Sequence, residues 1–283
     1  MSKNLYGTEP AKVVMEKLQL KCQNLKPQLA IVLVGDDFGS RQYTKQIEKS
    51  AGNLGIETQV IEFDESVAEA TLIGKIKELN LNKNTDGIIV QLPLPSSINT
   101  QKVIETIDPG KDVDGLHPYN LGRLMAGLPA LVPCTAKAVM RLLEYYNYEL
   151  TGKNVAIVGR SLSVGKPLSA LMTKADATVI LCHSKTEALF QITQKADIIV
   201  AAIGKALFFD DSYFNASNVV IDVGINSVPQ GICGDVDYQK VAEKVAAITP
   251  VPKGVGSLTI AMLMENLVMA CENRRRTDGL QTS

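Results

Sequence analysis

The sequence predicts an α/β protein made of two α/β domains around a cleft, and three observations support this fold class. The chain has 283 residues, about twice the length of a typical domain. Short β-rich runs alternate with segments of helical period in both halves, which favours parallel strands joined by helical crossovers. A stretch rich in Gly, Pro and Asp, residues 108–133, separates the two halves.

The composition is that of an ordinary globular chain and narrows the class of partner. Apolar residues make up 46% and charged residues 21%, with 29 Lys and Arg against 30 Asp and Glu. This balance predicts neither a nucleic-acid nor a membrane partner. The longest apolar run, 198–203, is far short of the ~18 residues of a membrane span, and we find no secretory signal. Five dispersed cysteines and two histidines predict reduced thiols, no metal site and a cytoplasmic location.

The first half is predicted to alternate regularly between helices and strands. The predicted helices are Pro10–Leu25, Ser40 to about Leu54, and Ser66–Leu81, and the predicted strands are Leu29–Val34, Ile56–Phe63 and Gly87–Gln91. Ser40 is the expected N-cap of the second helix, and Gly55 follows its end. The prolines after Gln91 end the third strand, because proline cannot continue a central strand.

The second half repeats this alternation after residues 108–133, which are predicted to be irregular and to link the domains. Its predicted helices are Thr135–Tyr148, Val164–Lys174, Thr186–Lys195 and Val255–Asn273, and its strands are Asn154–Val158, Ala177–Cys182, Asp197–Ile203 and Asn218–Val223. The predicted division is therefore an N-terminal domain of residues 1–120, a second domain of 121–273, and a polar tail of 274–283 that frays. The last helix is a candidate to pack back on the first domain.

A glycine-containing loop between a strand and a helix is a candidate binding feature. Gly159 and Gly165 bracket it, and such loops let backbone N–H groups approach a pyrophosphate at a helix N-terminus. The loop is not GxGxxG, because Ser161 stands at the second glycine, and five residues between the glycines exclude a Walker loop. The pattern leaves two interpretations open: a dinucleotide site or a tight strand-to-helix turn.

The next strand favours NADP over NAD if a dinucleotide binds. It ends in His183, Ser184 and Lys185, without the carboxylate that NAD-binding domains place there. Arg160, Ser184 and Lys185 could instead bind a 2′-phosphate. Arg160 could equally be a surface ion-pair partner.

A series of motifs in both halves resembles one known family. In chain order they are Gly35-Asp-Asp with Ser40-x-x-Tyr43, Asp86-Gly-Ile-Ile-Val-Gln-Leu-Pro-Leu-Pro95, Lys111-Asp-Val-Asp-Gly115, Pro133-Cys-Thr135, Gly159-Arg-Ser with Val164-Gly165, Asp222-Val-Gly-Ile-Asn226, Gly234-Asp-Val-Asp237 and Thr249-Pro-Val-Pro252. Together they resemble the bifunctional methylenetetrahydrofolate dehydrogenase/methenyltetrahydrofolate cyclohydrolase family, over roughly Leu5 to Asn273.

The resemblance implies an activity and an architecture. The first domain would bind tetrahydrofolate one-carbon derivatives, the second would be a Rossmann-like NADP-binding domain, and the chain would form a homodimer. The reaction implied is hydride transfer from 5,10-methylenetetrahydrofolate to NADP+, followed by addition of water to give 10-formyltetrahydrofolate, a part of one-carbon metabolism that serves purine biosynthesis.

The motif match also implies roles for individual residues. Tyr43 would pack along the aminobenzoyl group of the folate, Gln91 would buttress the reactive centre, and Asp114 would hydrogen-bond the pterin. The implied cofactor contacts are Gly159, Arg160, Ser161, Ser184 and Ile225. Taken singly, Tyr43, Gln91 and Asp114 also have ordinary structural explanations, as a helix residue, a strand end and a turn residue.

The sequence departs from the family pattern at the position of the family's key lysine. That lysine lies four residues after the tyrosine, one helical turn on, and here the position is Ile47. Lys45 and Lys49 each lie about 200° around the helix from it. Isoleucine can neither accept a proton nor stabilise an adduct, so the cyclohydrolase step is predicted to be weak or absent. Hydride transfer depends mainly on positioning and can survive.

Three alternatives remain open on the sequence alone. The first is a fully bifunctional enzyme in which Lys45, Lys49 or Lys253 replaces the missing amine. The second is a non-catalytic folate- or NADP-binding protein, favoured by Ile47 together with Lys253, which stands where the family has a glycine. The third is an unrelated NADP oxidoreductase that shares only the glycine loop.

Overall fold

The structure is a computed structural model that describes residues 2–229 and 231–281. The helices are α1 Thr8–Leu25, α2 Phe38–Asn53, α3 Glu69–Leu81, α4 Thr100–Thr106, α5 Pro118–Met125, α6 Cys134–Tyr145, α7 Gly165–Lys174, α8 Leu189–Lys195, α9 Tyr238–Val241 and α10 Gly256–Gln281, with a 3₁₀ turn at Asp211–Tyr213. The strands are β1 Lys3–Asn4, β2 Gln28–Val34, β3 Glu57–Phe63, β4 Gly87–Val90, β5 Asn154–Val158, β6 Thr178–Cys182, β7 Ile198–Ala201, β8 Val219–Asp222, β9 Asn226–Val228, β10 Gly231–Cys233 and β11 Ala247–Ile248.

The chain divides into two compact units. The three-stranded unit comprises Val14–Val132 and the residues from Leu263 onward, and the six-stranded unit comprises the residues up to Val13 together with Pro133–Met262. No helix within the described residues has both the length and the apolar character that crossing a membrane requires.

The three-stranded unit is built on a parallel sheet in the order β3-β2-β4. The central strand β2 is apolar and buried from Leu29 to Val34, as expected for a parallel strand covered on both faces. Helix α3 buries Leu72, Ile76 and Leu79, which recur at helical spacing on one face and join the apolar cluster of β2 and β4.

The six-stranded unit contains a parallel sheet in the order β1-β11-β8-β7-β5-β6. The chain passes from β5 to β6 on one side and then returns to β7 on the other side of β5. Strand order therefore reverses between β5 and β7, the arrangement of open dinucleotide-binding sheets. A short antiparallel hairpin, β9–β10, is separate from this sheet. The predicted α/β fold with parallel strands is confirmed.

The unit boundaries differ from the predicted division at residues 120 and 121. The six-stranded unit begins at Pro133, and it also includes the N-terminal residues, because Lys3 N and Leu5 N donate hydrogen bonds to Ala246 O and Ile248 O at 2.9 Å each. This edge strand, β1, has only two residues, too few to produce a sequence period.

Two further segments are more helical than predicted. Residues 108–133, predicted to be irregular, contain α5, in which Pro118 occupies the first helical turn and His117 caps the helix. Helix α10 continues to Gln281 instead of ending at Asn273. Arg274 at the start of the predicted polar tail donates from Nε to the buried carboxylate of Asp86 at 3.0 Å, which ties this part of the helix to the three-stranded unit.

Candidate active site

Helix α2 positions the first group of candidate residues. It follows β2 and begins at Asp37, whose Oδ2 accepts hydrogen bonds from Ser40 N and Ser40 Oγ, both at 2.8 Å. The prediction that Ser40 is the N-cap is therefore wrong, because its hydroxyl donates to the actual cap, Asp37. Serine and aspartate both cap helices well, so the sequence alone did not distinguish them.

The buried face of α2 includes Ile47. Ser40, Thr44, Ile47 and Ala51 are the buried residues of this helix, spaced by four and three positions, and Ile47 is 0% exposed. Tyr43 is half-buried beside this face. Lys45 and Lys49 are exposed, so neither lies on the face that Ile47 occupies.

Gln91 directly follows β4 and is almost fully buried, at 5% exposed. Its backbone N–H donates to Val32 O at 2.8 Å, which extends the sheet by one residue. Its side-chain Nε2 finds no hydrogen-bond partner among the described residues. A buried donor without a partner costs about 1–3 kcal/mol, which makes Nε2 a candidate to bind a ligand.

The lysine of the Lys111–Gly115 motif has a structural role. Lys111 Nζ donates to the carbonyl oxygens of Leu79, Asn80 and Asn82 at 3.1, 2.7 and 2.8 Å. These carbonyls lie at the C-terminal end of α3, where a cation is favourable. Burial lowers the pKa of Lys111, and the three acceptors satisfy all of its protons.

The two acids of this motif differ in their surroundings. Asp112 is buried, accepts from His117 N at 2.8 Å and from Asn120 Nδ2 at 3.0 Å, and has a pKa raised by burial. Asp114 is only half-buried and precedes Gly115, which has a positive φ of 72°. Lys111 and Asp112 therefore hold this loop, and Asp114 is its partly exposed carboxylate.

Tyr43, Gln91 and Asp114 all belong to segments at the carboxyl edge of the three-stranded sheet. Gln91 ends β4, and Asp114 lies two residues beyond Asp112, which bridges Ile88 in parallel to β4. The start of α2 reaches the same edge, since Ser40 Oγ donates to Leu92 O at 3.3 Å. The sequence singled out these three residues, and the fold brings their segments to one edge.

The glycine loop of the six-stranded unit requires both of its glycines. Gly159 has a φ of 126°, and a Cβ at this position would lie 2.0 Å from Ala202 O, in the loop that follows β7. A Cβ on Gly165 would lie 1.8 Å from Gly159 O. The loop after β5 thus packs backbone against backbone at the point where strand order reverses, which is where open α/β sheets bind their ligands.

Ser161 organises this loop. Its Oγ accepts from Val164 N at 3.1 Å, and its carbonyl accepts from Lys166 N at 3.1 Å, so it satisfies backbone donors at the start of α7. Pro167 in the first turn needs no such partner. Arg160 beside it is exposed.

The remaining predicted cofactor residues lie at the same edge of the six-stranded sheet. Ser184 follows β6 and is exposed, and Ile225 follows β8 with 64% of its surface exposed. Together with residues 159–161 after β5, they occupy the carboxyl ends of three parallel strands. An exposed isoleucine among polar loops is an apolar surface of the kind that an aromatic ring covers.

Lys253, which stands where the family has a glycine, adopts a backbone conformation that favours glycine. Its φ is 82°, in the left-handed region that favours glycine, and its carbonyl accepts from Gly7 N at 2.8 Å. The side chain is exposed. A lysine therefore stands where a glycine would be unstrained.

Sequence reasoning gave no role to two aspartates of the quoted motifs. Asp222 accepts hydrogen bonds from Gly224 N, Asp235 N and Val236 N at 2.9–3.0 Å, and burial raises its pKa to about 7. Asp235 is also buried and accepts four hydrogen bonds. Both motifs pair an aspartate with a glycine, which is the signal of tight packing that could have revealed them. In the described part of the chain no group of His, Cys, Asp and Glu could hold a metal ion.

The glycine loop lies where strand order reverses, as it does in dinucleotide-binding sheets, and a second α/β unit carries the buried amide that has no partner among the described residues. These features define a dinucleotide-binding protein built from two α/β units. The chain belongs to the tetrahydrofolate dehydrogenase/cyclohydrolase family. Residues 5–114 match the catalytic domain of that family and residues 133–275 match its NAD(P)-binding domain. The family resemblance and the dinucleotide-binding second domain are thus confirmed.

Individual relatives agree with this assignment. The bifunctional protein FolD of Rickettsia rickettsii is 48% identical over 278 residues, covering 95% of this chain and 96% of its own length. The crystal structure of the bifunctional enzyme FolD from Campylobacter jejuni superposes with a TM-score of 0.94 at 40% identity, over 97% of this chain and 100% of that one. The Trypanosoma brucei enzyme, whose structure was solved with NADP and an inhibitor, gives a TM-score of 0.92 at 31% identity, over 97% of this chain and 99% of that one.

Proposed function

We propose that this protein oxidises 5,10-methylenetetrahydrofolate to 5,10-methenyltetrahydrofolate with NADP+, and that it hydrolyses the methenyl product weakly or not at all. Family membership supports the first part. The observation that carries the second is Ile47, an aliphatic side chain, 0% exposed, four residues after Tyr43 on the same helix.

The six-stranded unit is the proposed NADP-binding part. NADP+ supplies the acceptor for the hydride. Gly159 and Ser161 shape the loop that would receive the pyrophosphate, and Arg160 with Ser184 would bind the 2′-phosphate. Support for NADP over NAD comes from the residues directly after β6, His183, Ser184 and Lys185, which place no carboxylate where NAD-binding domains have one. Ile225 would cover the nicotinamide end.

The three-stranded unit is the proposed folate-binding part. Tyr43 would pack on the aminobenzoyl group, Asp114 would hydrogen-bond the pterin, and Gln91 would use its unpartnered Nε2 at the reactive centre. Loss of a hydride from the bridge carbon leaves a cation shared by two folate nitrogens and requires no proton transfer. These side chains therefore need only bind and orient the substrate for the oxidation.

Hydrolysis makes a different demand on the same residues. Addition of water to the methenyl cation needs a group that accepts a proton and stabilises the tetrahedral adduct. Ile47 can do neither, and Lys45 and Lys49 are exposed on another face of α2. Loss of general acid–base help typically costs about 10²–10⁴-fold in rate.

The test is an assay of the purified protein with methylenetetrahydrofolate and NADP+ in which NADPH and methenyltetrahydrofolate are followed together. Equal accumulation of both products supports the proposal. NADPH that forms without methenyl accumulation, beyond spontaneous hydrolysis, contradicts the second part. No NADPH contradicts the first part and favours a binding protein without turnover.

A fully bifunctional enzyme is the second candidate, and the names of the relatives favour it. With Lys45 and Lys49 on another face of α2, Lys253 is the remaining replacement amine named from the sequence. If it serves, Lys253→Met should abolish hydrolysis while NADPH formation persists.

The proposal includes a homodimer and a cytoplasmic location. Both rest on the family resemblance and the cysteine usage rather than on contacts within this chain. A light-scattering mass near twice 30.6 kDa would support the dimer, and a mass near 30.6 kDa would contradict it.

A further inference from the structure

Asp235 is a buried carboxylate that the proposed chemistry does not use. It is 0% exposed, and its Oδ2 accepts from Ile203 N at 2.6 Å and from Gly204 N at 3.0 Å. Its Oδ1 accepts from Lys205 N at 2.8 Å and from Asn226 Nδ2 at 3.0 Å. Four donors therefore bind the two carboxylate oxygens. If asparagine replaced Asp235, its side-chain NH₂ group would face one or more of these donors and could not accept from them.

Three of these donors are consecutive backbone amides of the loop that follows β7. Gly204 within it has a φ of 65°, and successive N–H groups in such a turn form a concavity that binds anions. Here the chain's own carboxylate fills that concavity. The loop therefore anchors Asp235 firmly, and the bond to Asn226 links this carboxylate to the segment after β8. Asn226 also pairs with Cys233 in the β9–β10 hairpin.

Asp222 fixes the same region from the other side. Its Oδ1 accepts from Asp235 N at 3.0 Å and from Gly224 N at 2.9 Å, so it joins the two segments through their backbones. The packing is tight: a Cβ on Gly224 would lie 2.3 Å from Asp235 Oδ1, and a Cβ on Gly234 would lie 1.8 Å from Asp222 Oδ2. Each carboxylate thus packs directly against one of these glycines.

Ile225 lies between the two residues that these carboxylates hold. Gly224 before it is bound to Asp222, and Asn226 after it is bound to Asp235. Ile225 itself is 64% exposed at the carboxyl edge of the sheet. Its Cδ1 lies near Gly256, where an added Cβ would be 3.3 Å away, but most of the side chain is exposed. Packing therefore fixes Ile225 only in part, and its position depends also on the restraints on either side.

We propose that Asp235 is a positioning residue that, through Asn226, holds Ile225 in place to receive the nicotinamide end of NADP+. Asp235 itself does not touch the cofactor. The inference rests on the proposed function, because Ile225 is a cofactor contact only there. This role explains why position 235 is an acid, although burial alone would favour an apolar residue there.

Direct binding of NADP+ to the purified protein by calorimetry tests this inference through a double-mutant cycle. Four proteins are compared: wild type, Asp235→Asn, Ile225→Ala and the double variant. We expect Asp235→Asn to raise the Kd about tenfold, as for loss of one charge-assisted hydrogen bond, and to have almost no further effect once Ile225 is alanine. If Asp235 had only a general structural role, Asp235→Asn would raise the Kd by the same factor in the wild-type protein and in the Ile225→Ala protein.

Asp237→Asn is the matched control, because Asp237 belongs to the same motif and pairs with Lys240 at 2.8 Å. It should leave the Kd unchanged. If Asp235→Asn does not fold, Asn226→Ala replaces it in the cycle, since it removes only the link at 3.0 Å. An unchanged Kd, or additive effects, would overturn the inference alone, whereas a wild-type protein that binds no NADP+ would overturn the proposed function and the inference with it.

Discussion

The guanidinium of Arg274 on α10 forms an ion pair with the carboxylate of Asp86 at the start of β4. The Nε–Oδ1 distance is 3.0 Å, and the Asp86 side chain is 2% exposed. Asp86 Oδ2 also accepts from Gln28 N at 2.9 Å, at the start of β2. One buried acid therefore joins the C-terminal helix to two strands of the three-stranded sheet.

Removal of the arginine from this pair should destabilise the protein. Arg274→Ala leaves a buried carboxylate without its cation and should lower the free energy of unfolding by about 3 kcal/mol. Arg276→Ala is the control, because Arg276 is exposed and its bond among the described residues is to Asn273 Oδ1, next to it on the same helix. Its cost should stay below about 0.5 kcal/mol. Denaturant unfolding measures both, and equal costs would show that the ion pair has no special role.

The glycine loop should not tolerate a single methyl group. Gly159→Ala combines a φ of 126° with a Cβ 2.0 Å from Ala202 O, so it should weaken NADP+ binding at least tenfold and lower the melting temperature. Gly74→Ala is the matched control, because Gly74 is exposed in α3 with nothing within 4 Å of the added Cβ. Alanine is the better helix former, so this change should stabilise by up to about 1 kcal/mol. Normal NADP+ affinity in Gly159→Ala would contradict the role given to the loop.

Relief of backbone strain at Lys253 should stabilise the protein. Lys253→Gly removes a side chain from a residue at φ 82° and should raise the free energy of unfolding by about 1 kcal/mol. Lys83→Gly, at an exposed position without a positive φ, should instead lower it by about 0.5–1 kcal/mol because of glycine's chain entropy. If the two substitutions change stability in the same direction, the backbone of Lys253 is not strained at this φ.

The buried carboxyl of Asp222 should make stability depend on pH. Its folded-state pKa is raised from 3.8 to about 7, so between these values the folded chain holds a proton that the unfolded chain has released. This contribution to stability is therefore present in full below about pH 4 and is lost as the pH rises to about 7.

Unfolding experiments at about pH 5 and about pH 7 measure this contribution as a difference between proteins. Asp222→Asn should be less stable overall, because Gly224, Asp235 and Val236 all donate to this side chain, but its stability should fall less between the two pH values than that of wild type. If the free energy of unfolding changes equally with pH in both proteins, Asp222 does not cause the pH dependence.

Hydrolysis should return when an amine replaces the aliphatic side chain on α2. Ile47→Lys should raise the rate of methenyltetrahydrofolate hydrolysis by about 10²-fold or more and leave NADPH formation within a few-fold of wild type. Gln46→Lys adds the same charge at an exposed position of the same helix and should change neither rate. A folded Ile47→Lys protein without added hydrolysis would show that further changes in the site block this step.

The regular elements were predictable where one physical constraint dominates. Strands β2, β4 and β5 are buried on both faces, so each is a continuous apolar run in the sequence, and the predicted bounds agree within one residue. Strands β1 and β11 have two residues each, and the hairpin β9–β10 has three per strand, too few for a period. Their positions depend on tertiary pairing.

The sequence motifs name candidate site positions, but they could not reveal the interactions that the structure shows around them. The motifs marked Tyr43, Gln91 and Asp114, and the structure places their segments at one sheet edge. The sequence could not show that Lys111 binds carbonyls about thirty residues away, nor that Asp235 binds the loop after β7. Such partners are distant in sequence, and local patterns contain no information about them.

The proposed function separates two steps: this protein would oxidise the one-carbon unit without hydrating it. The most direct measurement supplies purified wild-type protein with 5,10-methenyltetrahydrofolate and follows its disappearance against the same solution without protein. We expect two decay rates that differ little, while the same preparation forms NADPH from methylenetetrahydrofolate. Decay that rises in proportion to protein concentration, at a rate comparable with NADPH formation, would contradict it.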